Sequence, residues 1–480
     1  MSYTSGLFAI FLLLSSTLIF ILPIRYKAIF LLLASYVFYA SWNVQHLVLL
    51  ISISIFTYYA AIVVCHIKND RKKCIALVAS IVLITAILVV YKFSSLFDQL
   101  PELNLIRINF SEILIPIGIS YYIFKALSYL LDVYWESIPV EKSFIKVALF
   151  LGFFPQILSG PIQRAPEFFE QVDSADFCRI NWNRFDIATK WILLGFFEKV
   201  VLADHIGPMV EYLDQHFRDG SLVVLLSSYA YTIQLFADFS GLTHISIGVG
   251  LIFGILGPQN FNRPFSATNM QIFWQRWNMS LTNWLRDYIF EPLQMSLRNL
   301  GILGVSIALM INMIIIGIWH GSNLTFLLFG IFHGTLLILT LLSARKRDYF
   351  FKKYPRAIPI GNIIGILLTF HLVVLALIIF RSQSIEVATQ FIAVLMEFKI
   401  VDGEFWKVIP YDLYLPASVA SIMGFILGFS FSGFKNSDMN KRDSINSKVP
   451  IAGIFIYSIS AILLILLASN NSNQFIYARF

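Results

Sequence analysis

The chain has 480 residues, of which 58% are hydrophobic and only 13% charged, with a formal net charge of +7. A soluble domain is near a quarter charged and about half apolar, so this composition excludes a soluble enzyme, a disordered chain and a nucleic-acid-binding protein. The apolar residues come in long runs and a bilayer crossing takes roughly 20 of them, so the sequence reads as an all-α polytopic membrane protein of about 10–12 transmembrane helices.

The N-terminal MSYTSGLFAIFLLLSSTLIF has no basic n-region and no A-x-A cleavage site. It reads as a retained first helix, with a removed signal peptide as the alternative. Clear apolar runs follow near 27–41, 46–66, 74–92, 302–319, 323–343, 360–380, 415–433 and 450–469. Between 112 and 255 the runs are shorter and broken by Gly, Pro and polar residues. Irregular backbone at membrane depth is tolerated only inside protein or beside a watery cavity, so the middle of the chain is expected to build a site from re-entrant pieces. The organisation expected is one integral-membrane domain over 1–480, with N-terminal helices in 1–111, a core in 112–343 and C-terminal helices in 344–480.

Three basic segments set an orientation. They are His66–Lys73, Arg345–Arg356 and Lys435–Lys448, and the excess of Lys and Arg assigns all three to the cytoplasm. The segments 94–111 and 381–412 lean acidic and are assigned outside. Counting helices from these anchors puts both termini outside. The three cysteines, Cys65, Cys74 and Cys178, form no bridge or metal pattern. No solenoid repeat and no match between halves is visible, which weighs weakly against a transporter.

Residues 273–290 read FWQRWNMSLTNWLRDYIF. Phe273, Trp274, Trp277, Leu281, Trp284, Leu285 and Tyr288 fall on one helix face, with Arg276, Ser280, Asn283 and Asp287 opposite. The segment is too polar to span lipid and is expected as a helix in the interface plane, its tryptophans either plain anchors or part of a site. Asn278 sits off the polar stripe, and a polar group there needs a partner in a protein cavity. Upstream, Asp238 lies inside the apolar run AYTIQLFADFSG. A charge at that depth costs about 2.5–3.5 kcal/mol on insertion scales, so it is expected to be paired, with Arg263 or Arg276 as partner.

Of eight histidines, His244 and His371 are isolated in apolar runs and read as core residues. His320 ends a long apolar run in GIWHGSN, between Trp319 and Gly321, and the glycine is expected to let backbone or substrate come close. His333 follows in FHG and reads as a packing or supporting residue. No zinc spacing, nucleophile elbow, phosphate loop or dinucleotide fingerprint occurs. The catalytic group types left in the membrane are His, Asn, Asp and Arg. A desolvated imidazole stays neutral, the state a general base requires.

PIGISYYIFKALSYLLDVYW from Pro116, FFPQILSGPIQR from Phe153, AYTIQLFADFSG, NFNRPF, FWQRWNMSLTNWLRDYIF, GIWHG and FHG follow one another over roughly 116–335. In order and spacing they resemble the membrane-bound O-acyltransferases, and the C-terminal FIYARF is similar to the bacterial branch that serves alginate, peptidoglycan and teichoic acid modification. The resemblance implies helices arranged around a central funnel. It maps the family's membrane histidine onto His320 and a second polar position onto Asn278, where bacterial members usually carry His. An Asn amide does not titrate, so it donates or orients and is no base. The family's usual acidic residue after DFSG is replaced here by His244.

The reaction so implied is acyl transfer, acetyl above all, from a cytosolic thioester to a hydroxyl acceptor for extracytoplasmic polysaccharide or cell wall. His320 and Asn278 are the catalytic residues. Trp277, Trp319, Arg276, Asp238, Arg263 and His333 are the binding residues. No cofactor is expected to be bound, because the donor, acetyl-CoA or an acyl carrier protein, is a substrate. The implied setting is the bacterial cytoplasmic membrane. The implied partners are the lipid bilayer and an extracytoplasmic SGNH-like or related acyltransferase, with no nucleic acid. Two rival readings stand beside this one: D-alanyl transfer from a carrier thioester to teichoic acid, and a transporter or flippase for lipid-linked glycans.

Overall fold

The structure, a computed structural model, describes residues 1–94, 115–399 and 411–430, with a few positions between 457 and 467. The described residues gather into two compact units. The first is drawn from Met1–Phe196, Leu242–Gln259 and Asn436–Ala461, the second from Phe197–Gly241, Asn260–Lys435 and Ile462–Phe480. Among the described residues every regular element is helical.

In the first unit, α1 (Gly6–Ile21), α2 (Ile24–Ala40), α3 (Val44–His66) and α4 (Asp70–Lys92) follow the apolar runs closely. The loops before α3 and α4 end on capping side chains. Asn43 accepts from Gln45 N–H and Asn69 from Lys72 N–H, satisfying donors that a helix start leaves open. Leu7, Leu13, Ile75 and Val82 are exposed on the outer faces, which suits lipid and would be anomalous in water. Next come α5 (Ile119–Tyr134), α6 (Phe144–Gly152), α7 (Ala165–Asp173) and α8 (Trp182–Phe196). This is the stretch whose sequence is broken, and its breaks are held by buried polar groups. Lys125 Nζ donates to Phe150 O and Gln156 Oε1, Gln156 Nε2 to Gln163 Oε1, and Gln163 Nε2 to Leu256 O. Gly118, at φ +76°, lies so close to Ile157 that a Cβ would fall 1.9 Å from its carbonyl oxygen, so only glycine fits.

In the second unit a π-helical turn, Phe197–Ala203, leads into α9 (Asp204–Gln215). The helix α10 (Ser221–Ile252), which belongs to the second unit up to Gly241 and to the first from Leu242, is unbroken over 32 residues, contrary to the expectation of short pieces up to 255. Every residue from Ala230 to Leu251 is buried, so this helix is protein core and not a lipid-facing span. After it come α11 (Met270–Trp274), α12 (Met279–Leu285), α13 (Glu291–Ser296), α14 (Ile302–His320), α15 (Leu324–Lys353), α16 (Ile358–Arg381), α17 (Ile385–Met396) and α18 (Tyr411–Ser430). The segment Arg345–Arg356, expected as a loop, is instead mostly the continuation of α15 to Lys353. Thirty residues of helix reach about 45 Å, longer than the hydrocarbon core, so the charged end lies beyond it.

Among the described residues six helices are long and apolar enough to cross a membrane: Val44–His66, Asp70–Lys92, Ser221–Ile252, Ile302–His320, Leu324–Lys353 and Pro355–Arg381. Gly6–Ile21, Ile385–Met396 and Tyr414–Gly428 are shorter apolar helices. The chain is an all-α polytopic membrane protein. The segment Lys435–Lys448, most of 94–111 and 450–469, and the tail FIYARF lie outside the described residues.

Candidate active site

The polar segment 273–290 is not the single interfacial helix its spacing suggests. It forms α11, a turn through Gln275–Trp277, and α12, with Asn278 between them at φ 45° and ψ 51°. That left-handed conformation is one that Asn tolerates better than most residues. The upstream link NFNR runs alongside and takes up the backbone groups the break exposes. Asn262 N–H donates to Arg276 O at 3.0 Å, Met279 N–H to Asn260 O at 2.9 Å, and Ser280 N–H to Asn260 Oδ1 at 3.1 Å. Trp274, Trp277 and Trp284 are buried at 6%, 6% and 4% exposure. They are core residues and not anchors at a lipid interface. Ser280, expected on the polar side, is buried as well.

The α14–α15 hairpin approaches from another direction. Its helices pack so closely that a Cβ on Gly317 would lie 2.3 Å from Phe326 O, and one on Gly330 would lie 2.4 Å from Met313 O. Small residues at such contacts let transmembrane backbones meet. His320 is the last residue of α14 and His333 lies in the third turn of α15. Gly321 does leave room beside His320, but for Phe326 and not for substrate, since a Cβ there would meet the Phe326 ring at 2.7 Å.

A cavity lies between these elements, with about 430 Å³ of atom-free space that includes its open mouth. Leu235 of α10 lines it, and the α11–α12 break contributes Phe273, Trp274, Trp277, Asn278 and Leu281. The hairpin adds Ile316, His320, Phe329 and His333, and α16 adds Val373, Leu377 and Phe380. Asn278 caps no backbone N–H of the helix it opens. His320 is held among rings, with Trp319 at 4.7 Å and Phe380 at 4.8 Å, the latter edge-on at 88°. Trp277 stacks on Phe273 at 5.5 Å and takes an edge contact with Phe261 at 5.1 Å.

Of the residues singled out in the sequence, His320, Asn278, Trp277 and His333 therefore share one cavity, while Trp319 packs against the His320 ring without lining it. Asp238 pairs with Lys199, whose Nζ is 3.0 Å from Asp238 and 2.8 Å from Asp204, and not with Arg263 or Arg276 as expected. All three of these groups are buried, which makes them a tie between the π-helical turn and α10. Lys199 and Glu198 form a lone charged pair between the apolar WILLGFF and VVLA, with no periodic signal. Arg276 Nη1 donates to Ser266 Oγ at 2.7 Å, and Arg263 is exposed at φ 49°. Neither arginine lines the cavity. His371 is exposed and not a core residue, with Nε2 2.7 Å from the Tyr229 hydroxyl. His244 is buried, with its ring 4.8 Å from Trp191. Phe329 and Phe380 close the site, and no local pattern distinguishes them from other apolar residues of spanning helices.

Chemically, the cavity offers an imidazole, an amide and a second imidazole inside aromatic walls. Such walls exclude water and strengthen each polar contact within.

Comparison with known proteins supplies a family. The profile described as MBOAT, membrane-bound O-acyltransferase family, matches residues 34–381, a range that contains every cavity-lining residue. The probable alginate O-acetylase AlgI of Pseudomonas syringae pv. tomato is 30% identical over 385 residues, covering 78% of this chain and 71% of its own. The peptidoglycan O-acetyltransferase of Helicobacter pylori is 29% identical over 391 residues, covering 76% and 72%. The teichoic acid D-alanyltransferase of Streptococcus thermophilus is 30% identical over 283 residues, covering 55% and 68%.

Proposed function

The chain belongs to the membrane-bound O-acyltransferase family and is a multi-pass membrane acyltransferase; on that premise we propose that it moves an acetyl group from a cytosolic thioester to a hydroxyl acceptor serving an extracytoplasmic polysaccharide or cell-wall polymer. The observation that carries the reading is that His320 and Asn278, from separate elements, line one aromatic-walled cavity. His320 takes the proton as the acceptor oxygen attacks the thioester carbonyl. The C–O bond forms, the carbonyl pair moves onto oxygen, and the Asn278 amide receives that oxygen. The pair then returns, the C–S bond breaks, and the proton passes from His320 to the leaving sulfur. A positioned base contributes about 10²–10⁴ in rate and one oxyanion donor about 10²–10³.

The donor is acetyl-CoA or an acetylated carrier protein, entering from the cytoplasm because a charged thioester does not cross lipid. The setting is the bacterial cytoplasmic membrane. An extracytoplasmic partner of the SGNH type carries the acetyl group onward. Acetyl is favoured over D-alanyl because the two relatives named for O-acetylation align with 78% and 76% of this chain, against 55% for the D-alanyltransferase. Transfer needs no gradient, which separates this reading from a glycan flippase.

The test uses full-length protein in lipid vesicles, with acetyl-CoA at one face and a chito-oligosaccharide as hydroxyl probe. Release of free thiol and acetylation of the sugar are expected without any ion gradient. His320→Ala, eluting as a monodisperse species in detergent, should lose activity by about 10²–10⁴-fold. Full transfer by folded His320→Ala would remove His320 as the base, and thiol release only from a D-alanyl carrier would favour the teichoic acid reading.

A further inference from the structure

The cavity contains a second imidazole that the reaction above leaves idle. His333 is 1% exposed, with Phe329 at 4.5 Å and Trp274 at 5.0 Å, both near edge-on, and Phe273 parallel at 6.4 Å. Trp274 Nε1–H donates to His333 Nδ1 at 3.3 Å. An indole nitrogen only donates. The ring nitrogen it meets therefore carries a lone pair, and the proton of this imidazole sits on Nε2. Both residues line the cavity that holds His320 and Asn278.

We propose that Trp274 fixes His333 as an Nε2–H donor in the cavity, and that this N–H joins the Asn278 amide in receiving the acyl oxygen. The proposal rests on the acyl-transfer reading of the preceding subsection. It divides labour between the two histidines. His320 moves a proton from the acceptor hydroxyl to the leaving sulfur. His333 keeps its proton throughout and lends only a hydrogen bond while the carbonyl pair resides on oxygen. A donor that is already oriented needs no reorganisation as charge develops. Trp274 is then a positioning residue, acting through His333.

The experiment compares His333→Phe, which keeps a ring and loses the donor, with His333→Gln, whose amide restores an N–H. Both are made in the full chain, reconstituted in vesicles and assayed with acetyl-CoA and the chito-oligosaccharide. His333→Phe is expected to lower kcat by about 10²–10³-fold, with KM for acetyl-CoA unchanged within about threefold, the split for a contact made only in the transition state. His333→Gln should recover to within about tenfold of the parent. Nitrogen-15 NMR of histidine-labelled protein supplies an arm that does not depend on turnover. The signal lost in His333→Gln should report an unprotonated Nδ1 in the parent and change in Trp274→Phe. A proton on Nδ1, a His333→Phe variant as active as the parent, or a Gln variant no better than Phe would overturn the inference. A parent that transfers from neither acetyl-CoA nor a carrier thioester would overturn the preceding reading and the donor role with it. An active parent unaffected by His333→Phe would overturn this inference alone.

Discussion

The α14–α15 hairpin and the Asn260–Leu285 segment line the same cavity by opposite means. The hairpin is two uninterrupted helices, Ile302–His320 and Leu324–Lys353, that satisfy their own backbone. Its polar side chains are placed by helical rise alone. The other segment breaks between α11 and α12 and needs the Asn260 and Asn262 links to satisfy the backbone it exposes. Trp274, Trp277 and Asn278 line the cavity from within five residues, and the break puts Asn278 in left-handed backbone at φ 45°, a conformation no helix interior offers. A regular span carries a group to a depth, and a broken segment aims one through its backbone turn.

The largest test of this contrast is at the break itself. Asn278→Ala removes both the amide and a residue suited to left-handed backbone, and should lower kcat by about 10²–10³-fold. Asn278→Asp keeps the shape and the backbone preference but loses the amide N–H. If both variants fall equally, the side chain acts as a donor. If Asp is spared, Asn278 serves only to turn the chain. The comparison requires folded protein, judged by elution in detergent.

The hairpin is tested next. Gly330→Ala would push a methyl group against the Met313 carbonyl at 2.4 Å, forcing the helices apart and costing about 1–3 kcal/mol by overpacking. A lowered thermal midpoint with a matching loss of kcat would show that the depth of His320 and His333 depends on this contact. An unchanged midpoint would show that the hairpin has room to adjust.

Asn260→Ala should have an effect of similar or smaller size. It leaves the Ser280 N–H without the Oδ1 acceptor at 3.1 Å, at a cost of about 1–3 kcal/mol for a buried donor. Activity should fall more than stability if the link sets the position of Asn278. Equal losses would mean that it only holds the segment together.

The smallest effect is expected from orientation probes, which leave activity unchanged. In a background without Cys65, Cys74 and Cys178, single cysteines at 69 or 347 should resist an impermeant reagent in intact cells, and one at 2 should react. Labelling at 347 would invert the assignment of the hairpin ends, and with it the face from which the thioester enters.

Much of the fold is legible in the sequence. The runs at 27–41, 46–66, 74–92 and 302–319 became Ile24–Ala40, Val44–His66, Asp70–Lys92 and Ile302–His320, because a span in lipid must be both apolar and self-bonded. The motif GIWHG marked His320 for the same reason, as an ionisable group at the end of such a run. The single helix Ser221–Ile252 looks broken in sequence, since its Ser, Thr, Gln and Asp side chains resemble interruptions until a surrounding core buries them.

What the sequence by itself determined is therefore what one helix can settle alone: the class of solvent, most of the spans, and the residue types left for chemistry. Tertiary structure decided the pairings. Asp238 found Lys199 and not an arginine, Trp274 turned from an expected interface anchor into the partner of His333, and Phe380 closed the site around His320. Each of these joins residues far apart in the chain, and periodicity carries no information about a contact between helices whose mutual rotation is set by packing.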